Sequence, residues 1–246
     1  MDQPSVPQPT PRLIITIGLH GSASTWVFNT ARELMIACCG GEQIAAIFAD
    51  SVEEMIADCS LAGRHVVWKT HHGGPHWEVF AWLSRATVVL SVRDPRDAAV
   101  SLMQRFAVDA RSALQAIGQD CRRAMQCADA GYPVLRYEDR FFDNPATVAA
   151  LARLIGAEAS AEVQARIFER YRTEAVRALA DNLAALSAER VSGTVDSLQF
   201  DRVTQIHRGH IGNGRIGKWR ECLPAAQQRE VTDYFAPFLK RFGYAA

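Results

Sequence analysis

Residues Leu13 to Gly18 form an unbroken apolar run, rich in β-branched side chains, that stops at a glycine. Without alternation, such a run is the pattern of a strand covered on both faces. His20-Gly-Ser-Ala-Ser-Thr25 follows at once, and then Trp26, Val27, Thr30, Leu34 and Cys38 at near-helical spacing. A buried strand, a loop of small residues and a helix in direct succession commit the start of the chain to an α/β unit. The alternation continues. Ile44–Phe48, His65–Lys69, Thr87–Val92 and Pro133–Tyr137 read as strands, and Val52–Cys59, Pro95–Phe106, Arg111–Asp129 and Pro145–Ile155 as helices. Strands alternating with helices predict a three-layer α/β fold around a central parallel sheet. Apolar residues at near four-residue steps from Ala161 to Arg190 predict a further amphipathic helix or pair, and a last helix is expected over about 224–241.

The chain has 246 residues, the upper end for one domain, and is read as a single domain over 13–246. Residues 1–12 hold four prolines and no apolar core of a signal peptide, so they are read as a disordered lead-in. No apolar stretch approaches the ~20 residues of a membrane span. The 27 basic and 27 acidic side chains cancel, which speaks against a general nucleic-acid binder. Six cysteines occur without a CxxC pair, which predicts reduced thiols and a cytoplasmic chain. Residues 192–217, poor in apolar side chains and rich in Gly, His and Arg, read as a long loop and a candidate lid.

In a parallel sheet, ligands bind at the carboxyl ends of the strands. The loop after Gly18 can turn backbone N–H groups toward an anion, with the helix N-terminus behind them and hydroxyls from Ser22, Ser24 and Thr25 beside them. The plain alternative is a tight strand-to-helix turn. An ATP-type loop would end in Gly-Lys-Ser/Thr, and this one has Ala23-Ser24-Thr25. After the fourth strand come Arg93-Asp-Pro-Arg96-Asp97 and, eight residues beyond Arg93, Ser101. The arginine and the serine can converge on one phosphate if the arginine folds over the helix. The alternative is an Arg93–Asp97 ion pair at the helix start. Trp68-Lys69-Thr70-His71-His72 closes the third strand, and a strand-end histidine suits a general base. Three histidines within eight residues, 71, 72 and 76, also suggest a metal, but no acidic or cysteine companion lies near them in sequence, so none is assigned.

Taken together, these strings resemble the sulfotransferases that use 3′-phosphoadenosine-5′-phosphosulfate (PAPS), of the bacterial, P-loop-like type. The resemblance covers Leu13 to about Arg220 and rests on the conjunction of motifs. It implies that Ser22, Ser24 and Thr25 hold the 5′-phosphate within the turn His20-Gly21-Ser22-Ala23, and that Trp26 stacks on adenine. It implies Arg93 and Ser101 at the 3′-phosphate, Lys69 at the sulfonate, and His71 as the base that deprotonates the acceptor. Tyr137, in Arg136-Tyr-Glu-Asp139, would contact the cofactor. Gly214-Arg-Ile-Gly-Lys-Trp219 resembles the family's C-terminal motif. The family's loop cation falls on Gly21, so Lys69 is expected to do most of the charge stabilisation with His20 as a weaker substitute, and the family's basic pair before Gly214 falls on Gly212 and Asn213. Arg208 and Arg215 then become the nearest cations for the 3′-phosphate. The implied activity is sulfonate transfer from PAPS to a hydroxyl or amine of a small-molecule, carbohydrate or lipid acceptor, releasing adenosine 3′,5′-diphosphate (PAP). The competing readings are a P-loop-type kinase or hydrolase and a catalytically impaired nucleotide-binding protein of the same fold. Residues 77–82 and the 192–217 loop are expected to line the acceptor pocket.

Overall fold

The computed structural model describes residues 12–58, 61–193 and 198–245. The lead-in expected over 1–12 lies outside these, apart from Arg12, as do Cys59 and part of the 192–217 loop. Five parallel strands form the central sheet: β1 (Leu13–Gly18), β2 (Ile44–Phe48), β3 (His65–Thr70), β4 (Thr87–Val92) and β5 (Val134–Arg136), in the order β2-β3-β1-β4-β5. β1 lies at the centre because its run needs cover on both faces, and Ile14, Ile15 and Ile17 are at most 1% exposed. On one face pack α1 (Ser24–Cys39), α6 (Pro145–Leu154), α7 (Ala161–Tyr171) and α8 (Thr173–Asp181). On the other lie α4 (Pro95–Phe106), α5 (Ala110–Asp129), the short α9 (Trp219–Cys222) and α10 (Ala225–Phe242), with α2 (Val52–Ile56) and α3 (Trp77–Leu83) beside them.

Local signals account for most element boundaries. Asp94 caps α4 by accepting from the Arg96 N–H, and Pro95 takes the first turn. Asp109, Asn144 and Ser160 cap α5, α6 and α7 in the same way. Arg172 is extended, with φ −61° and ψ 156°, which divides the amphipathic stretch into α7 and α8. The expected second helix is shorter than Val52–Cys59, ending at Ile56. The 192–217 segment is not irregular throughout. Ser192 lies in a two-residue strand, Val191–Ser192 (β6), which pairs antiparallel with Phe200–Asp201 (β7). Arg32 donates to the Val203 carbonyl and Asn29 Nδ2 to that of Thr204 at 2.7 Å, which ties the segment to α1. Among the described residues, no helix is long and apolar enough to cross a membrane.

Because the strands run parallel in near-level register, Gly18, Thr70, Val92 and Arg136 end at one edge of the sheet. Gly18 must be glycine for packing reasons. A Cβ there would collide with Ser91 Oγ and stand 2.9 Å from both Ser22 Oγ and Ser24 Cβ. Gly18→Ala is expected to lower stability by about 1–3 kcal/mol and to displace the turn. Urea unfolding checks this, and an unchanged midpoint would contradict it.

Candidate functional site

A cavity of about 460 Å³ opens at the carboxyl edge of the sheet. The turn after β1 forms its floor. Gly21 (φ 75°) and Ala23 (φ 62°) are left-handed, a backbone pattern that turns N–H groups toward one side. No side chain caps α1, so the N–H groups of Ser24 and Thr25 at its start stay open toward the cavity, while those of Trp26 and Val27 donate to the Ala23 carbonyl. Ser24 and Thr25 line it. Ser22 does not. Its hydroxyl turns inward, donating to the Leu19 carbonyl at 2.7 Å and bonding Ser91 Oγ at 2.9 Å, so it closes the turn instead of facing a ligand.

Arg93 and Ser101 face the same cavity. Arg93 Nη1 donates to the Gly21 carbonyl at 3.1 Å and meets Ser101 Oγ at 3.5 Å, while Nη2 donates to the Arg215 carbonyl at 3.0 Å. The guanidinium lies 4.0 Å over the Tyr137 ring, and the Tyr137 hydroxyl donates to the Gly214 carbonyl at 3.3 Å. Asp97 stands 3.9 Å from Arg93, but its carboxylate chiefly accepts the N–H groups of Gly217 (2.6 Å) and Trp219 (3.0 Å). The ion pair at the helix start is therefore Arg96 with its own cap, Asp94, at 2.8 Å. Arg93 is left to bridge the loop, the serine and the C-terminal segment.

At the end of β3, Lys69 is buried, with Nζ 4.6 Å over the Phe48 ring. Burial lowers its pKa to about 8, opposed by the charge of Asp50. His71 Nδ1 lies 2.6 Å from the Gly18 carbonyl. A carbonyl only accepts, so Nδ1 carries the proton and Nε2 keeps its lone pair. Burial, followed by the neighbouring His20 and Lys69, pushes the His71 pKa well below its usual value and keeps the ring neutral. The His71 ring stacks on His20 at 3.8 Å between centroids.

Three further groups enter the site from positions that the sequence reading did not select. Arg105 lies on α4 four residues beyond Ser101, on the same face, and donates to the His210 carbonyl at 2.9 Å. Lys218, which lies in the Gly214–Trp219 string without a role assigned from the sequence, is buried with Nζ 3.2 Å from Gln104 Oε1. Burial and the charge of Arg93 lower both pKa values. Asp120 reaches His20 from α5. Lys69, Arg93, Arg105 and Lys218 all line the cavity, and Asp50 is the one carboxylate among its lining residues. Four cations against one acid suit a ligand with several negative charges.

Trp26, Asn213 and Gly214 line an adjoining cavity of about 270 Å³, joined to the first through Ala23, Thr25, Tyr137 and Gly214. Trp26 packs edge-on to Phe141 at 5.7 Å. Two expected cations are not brought in. Arg208 is exposed and lines neither cavity, and Arg215 is exposed and paired with Glu221 at 2.8 Å, only its carbonyl meeting Arg93. The expectation for residues 77–82 is corrected as well. Trp77 is wholly buried because α3 turns it into the core, Trp82 is 75% exposed, and neither lines either of these two cavities.

The sequence argument against a metal, the lack of an acidic companion, does not hold in space, since Asp120 joins His20 and His71 with ligand atoms within 4.8 Å of one another. The geometry still suits hydrogen bonding and not ligation. The two rings stack 16° from parallel, so their in-plane lone pairs do not converge, and both Nδ1 atoms are already bonded.

No protein-family model and no curated protein matches the sequence. Solved structures do match. Mouse sulfotransferase SULT7A1 complexed with PAP superposes with a TM-score of 0.65 at 13% identity, over 96% of this chain and 89% of that one. Retinol dehydratase in complex with retinol and PAP gives 0.57 at 15% identity, over 94% and 82%. Retinol dehydratase with androsterone and PAP gives 0.55 at 16% identity, over 92% and 80%. The chain has the fold of these PAP-bound proteins, a sulfotransferase among them.

Proposed function

We propose that this chain is a PAPS-dependent sulfotransferase, transferring a sulfonate group to a hydroxyl or amine of a small-molecule, carbohydrate or lipid acceptor. One observation carries the reading: the turn after Gly18 and the Arg93/Ser101 couple, 72 residues apart in sequence from Gly21 to Arg93, meet at a single cavity. A nucleotide with phosphates at its 5′ and 3′ positions needs two such sites on one wall. In this reading Ser24, Thr25 and the loop N–H groups hold the 5′-phosphate, and Arg93 and Ser101 the 3′-phosphate. Arg105 and Lys218 supply the charge that Gly21, Gly212 and Asn213 do not. Trp26 and Phe142 border the adjoining cavity, where the adenine would sit. Residues 13–246 act as one domain, and 192–217 serve as the lid. Arg93, Arg105 and Tyr137 already hold the carbonyls of Arg215, His210 and Gly214. Phe48, Phe106, Leu198 and Phe200 give the acceptor side an apolar wall, and the retinol dehydratase structures hold apolar small molecules. The free thiols among the described residues fit a cytoplasmic setting.

The donor supplies an activated sulfur with a phosphate as leaving group. His71 Nε2 takes the acceptor proton, while the hydrogen bond from Nδ1 to Gly18 fixes the tautomer and the ring plane. Lys69 and the loop N–H groups meet the charge that grows on the phosphate oxygen. The acid limb of activity is expected well below pH 6.5, because His71 must be neutral and its proton affinity is depressed. The alkaline limb is expected near pH 8, because Lys69 must be protonated and is lost as pH rises through that value. A pH–rate profile of kcat/KM checks both limbs, and a flat profile from pH 7 to 10 would remove Lys69 from its role.

Calorimetry with PAP and with ATP–Mg²⁺ separates this reading from the kinase or hydrolase. PAP is expected to bind and ATP–Mg²⁺ to bind far more weakly, and the reverse order would overturn the proposal. Labelled-sulfonate transfer over an acceptor panel separates an active enzyme from an impaired binder.

A further inference from the structure

Asp120 is fully buried on α5 among the apolar residues Ile117, Cys121 and Ala124. Its Oδ2 accepts two bonds from one residue, the His20 backbone N–H at 2.9 Å and the ring Nδ1–H at 2.8 Å. Its Oδ1 has no hydrogen-bond partner and lies 3.7 Å from His72 Nδ1. A carboxylate placed in apolar surroundings needs a cation beside it, or it is strongly destabilising. The side chain that meets it is His20, which is 28% exposed, lines the cavity and stacks on His71. His20 Nε2 has no hydrogen bond among the described residues.

We propose that His20 is a second catalytic residue, held by Asp120 as an imidazolium whose Nε2–H donates to the phosphate end of the donor. The inference rests on the sulfonate-transfer reading and adds to it a role for a residue pair on opposite sides of the turn. In the step, the acceptor oxygen forms a bond to sulfur and its proton passes to His71 Nε2. The bond from sulfur to the bridging phosphate oxygen breaks, and the electron pair stays on that oxygen. His20 keeps its proton and donates a hydrogen bond to the oxygen as it gains charge. The two stacked rings thereby take opposite tasks. His71 starts neutral and takes up the acceptor proton, while the buried carboxylate holds the charge of His20 in place. The charged and titratable groups around His20 are Asp120 on α5 and Lys69, His71 and His72 from β3 and the turn after it. Arg93, arriving from β4, meets the adjacent Gly21 carbonyl.

The test combines calorimetry with nitrogen NMR on ¹⁵N-histidine-labelled full-length protein, using PAP as the probe. The His20 signal is assigned by its loss in His20→Gln. In the wild-type complex with PAP at pH 7, both His20 nitrogens are expected to be protonated. His20→Gln is expected to weaken PAP binding about 10- to 100-fold, measured below the variant's melting temperature, which falls because the buried Asp120 carboxylate loses its cation. Asp120→Asn is expected to return His20 to the neutral state at pH 7, an effect that a purely structural role for Asp120 would not produce. If Asp120→Asn does not fold, His20→Gln and the wild-type NMR state still decide the matter. A neutral His20 in the wild-type complex, or full PAP affinity in His20→Gln, overturns this inference and leaves sulfonate transfer standing. No PAP binding by the wild-type protein overturns the underlying reading instead.

Discussion

Replacing His71 with alanine is expected to lower sulfonate transfer by about 10²–10⁴-fold, with PAP affinity within a few-fold of wild type. The size follows from what the ring does. Gly18 accepts its Nδ1–H at 2.6 Å, so Nε2 is fixed as the proton acceptor, and burial keeps the ring neutral at working pH. Alanine removes the only group the account assigns to the acceptor proton. The nucleotide-binding groups, Ser24, Thr25, Arg93 and Ser101, belong to other elements and keep their partners. Labelled-sulfonate transfer gives kcat and calorimetry gives the PAP Kd. Equal losses in both would make His71 a structural residue, and undiminished turnover would remove it from the mechanism.

The second large effect concerns Arg93. Arg93→Ala is expected to weaken PAP binding by about two orders of magnitude or more, as truncation of a buried, hydrogen-bonded charge costs about 2–5 kcal/mol. Arg93 is 4% exposed and joins three parts of the site at once: the Gly21 carbonyl, Ser101 Oγ and the Arg215 carbonyl. Its loss removes a positive charge from the cavity and also a tie on the 198–217 segment. Arg93→Lys separates these effects, because lysine keeps the charge but lacks the planar fork that reaches several acceptors. The lysine variant is expected to bind PAP more tightly than the alanine variant and less tightly than wild type. Unchanged affinity in Arg93→Ala would mean that the arginine only ties the β1 turn to α4 and the C-terminal segment.

The central architecture was legible because its signals are local. The apolar run of β1, the Asp94-Pro95 start of α4 and the strand-end placement of His71 and Arg93 each follow from a few adjacent residues. Spacing alone allowed Arg93 to converge on Ser101 and allowed an Arg93–Asp97 pair equally, and only the resemblance favoured the convergence. Lys218 and Asp120 were not legible. They come from distant elements, and nothing in a single sequence says which face of α5 a lone aspartate occupies. Asp120 does carry a faint signal, since it is adjacent to Cys121 and lies between Ile117 and Ala124 on the apolar stripe. Arg105 could have been found, being one helical turn past Ser101. The 77–82 expectation failed because tryptophan suits both a core and a pocket, and packing beside Tyr132 and Arg123 decided for the core at Trp77. The loop reading of 192–217 missed β6 and β7 because strands of two residues leave no periodicity to detect.

A crystal structure with PAP tests the account most directly. One nucleotide is expected to span the carboxyl ends of β1 and β4, its 5′-phosphate on the N–H groups of residues 23–25 and its 3′-phosphate between Arg93 and Ser101. Phosphates found elsewhere on the surface, or a nucleotide that touches the β1 turn but leaves Arg93 and Ser101 bound only to each other, would contradict it.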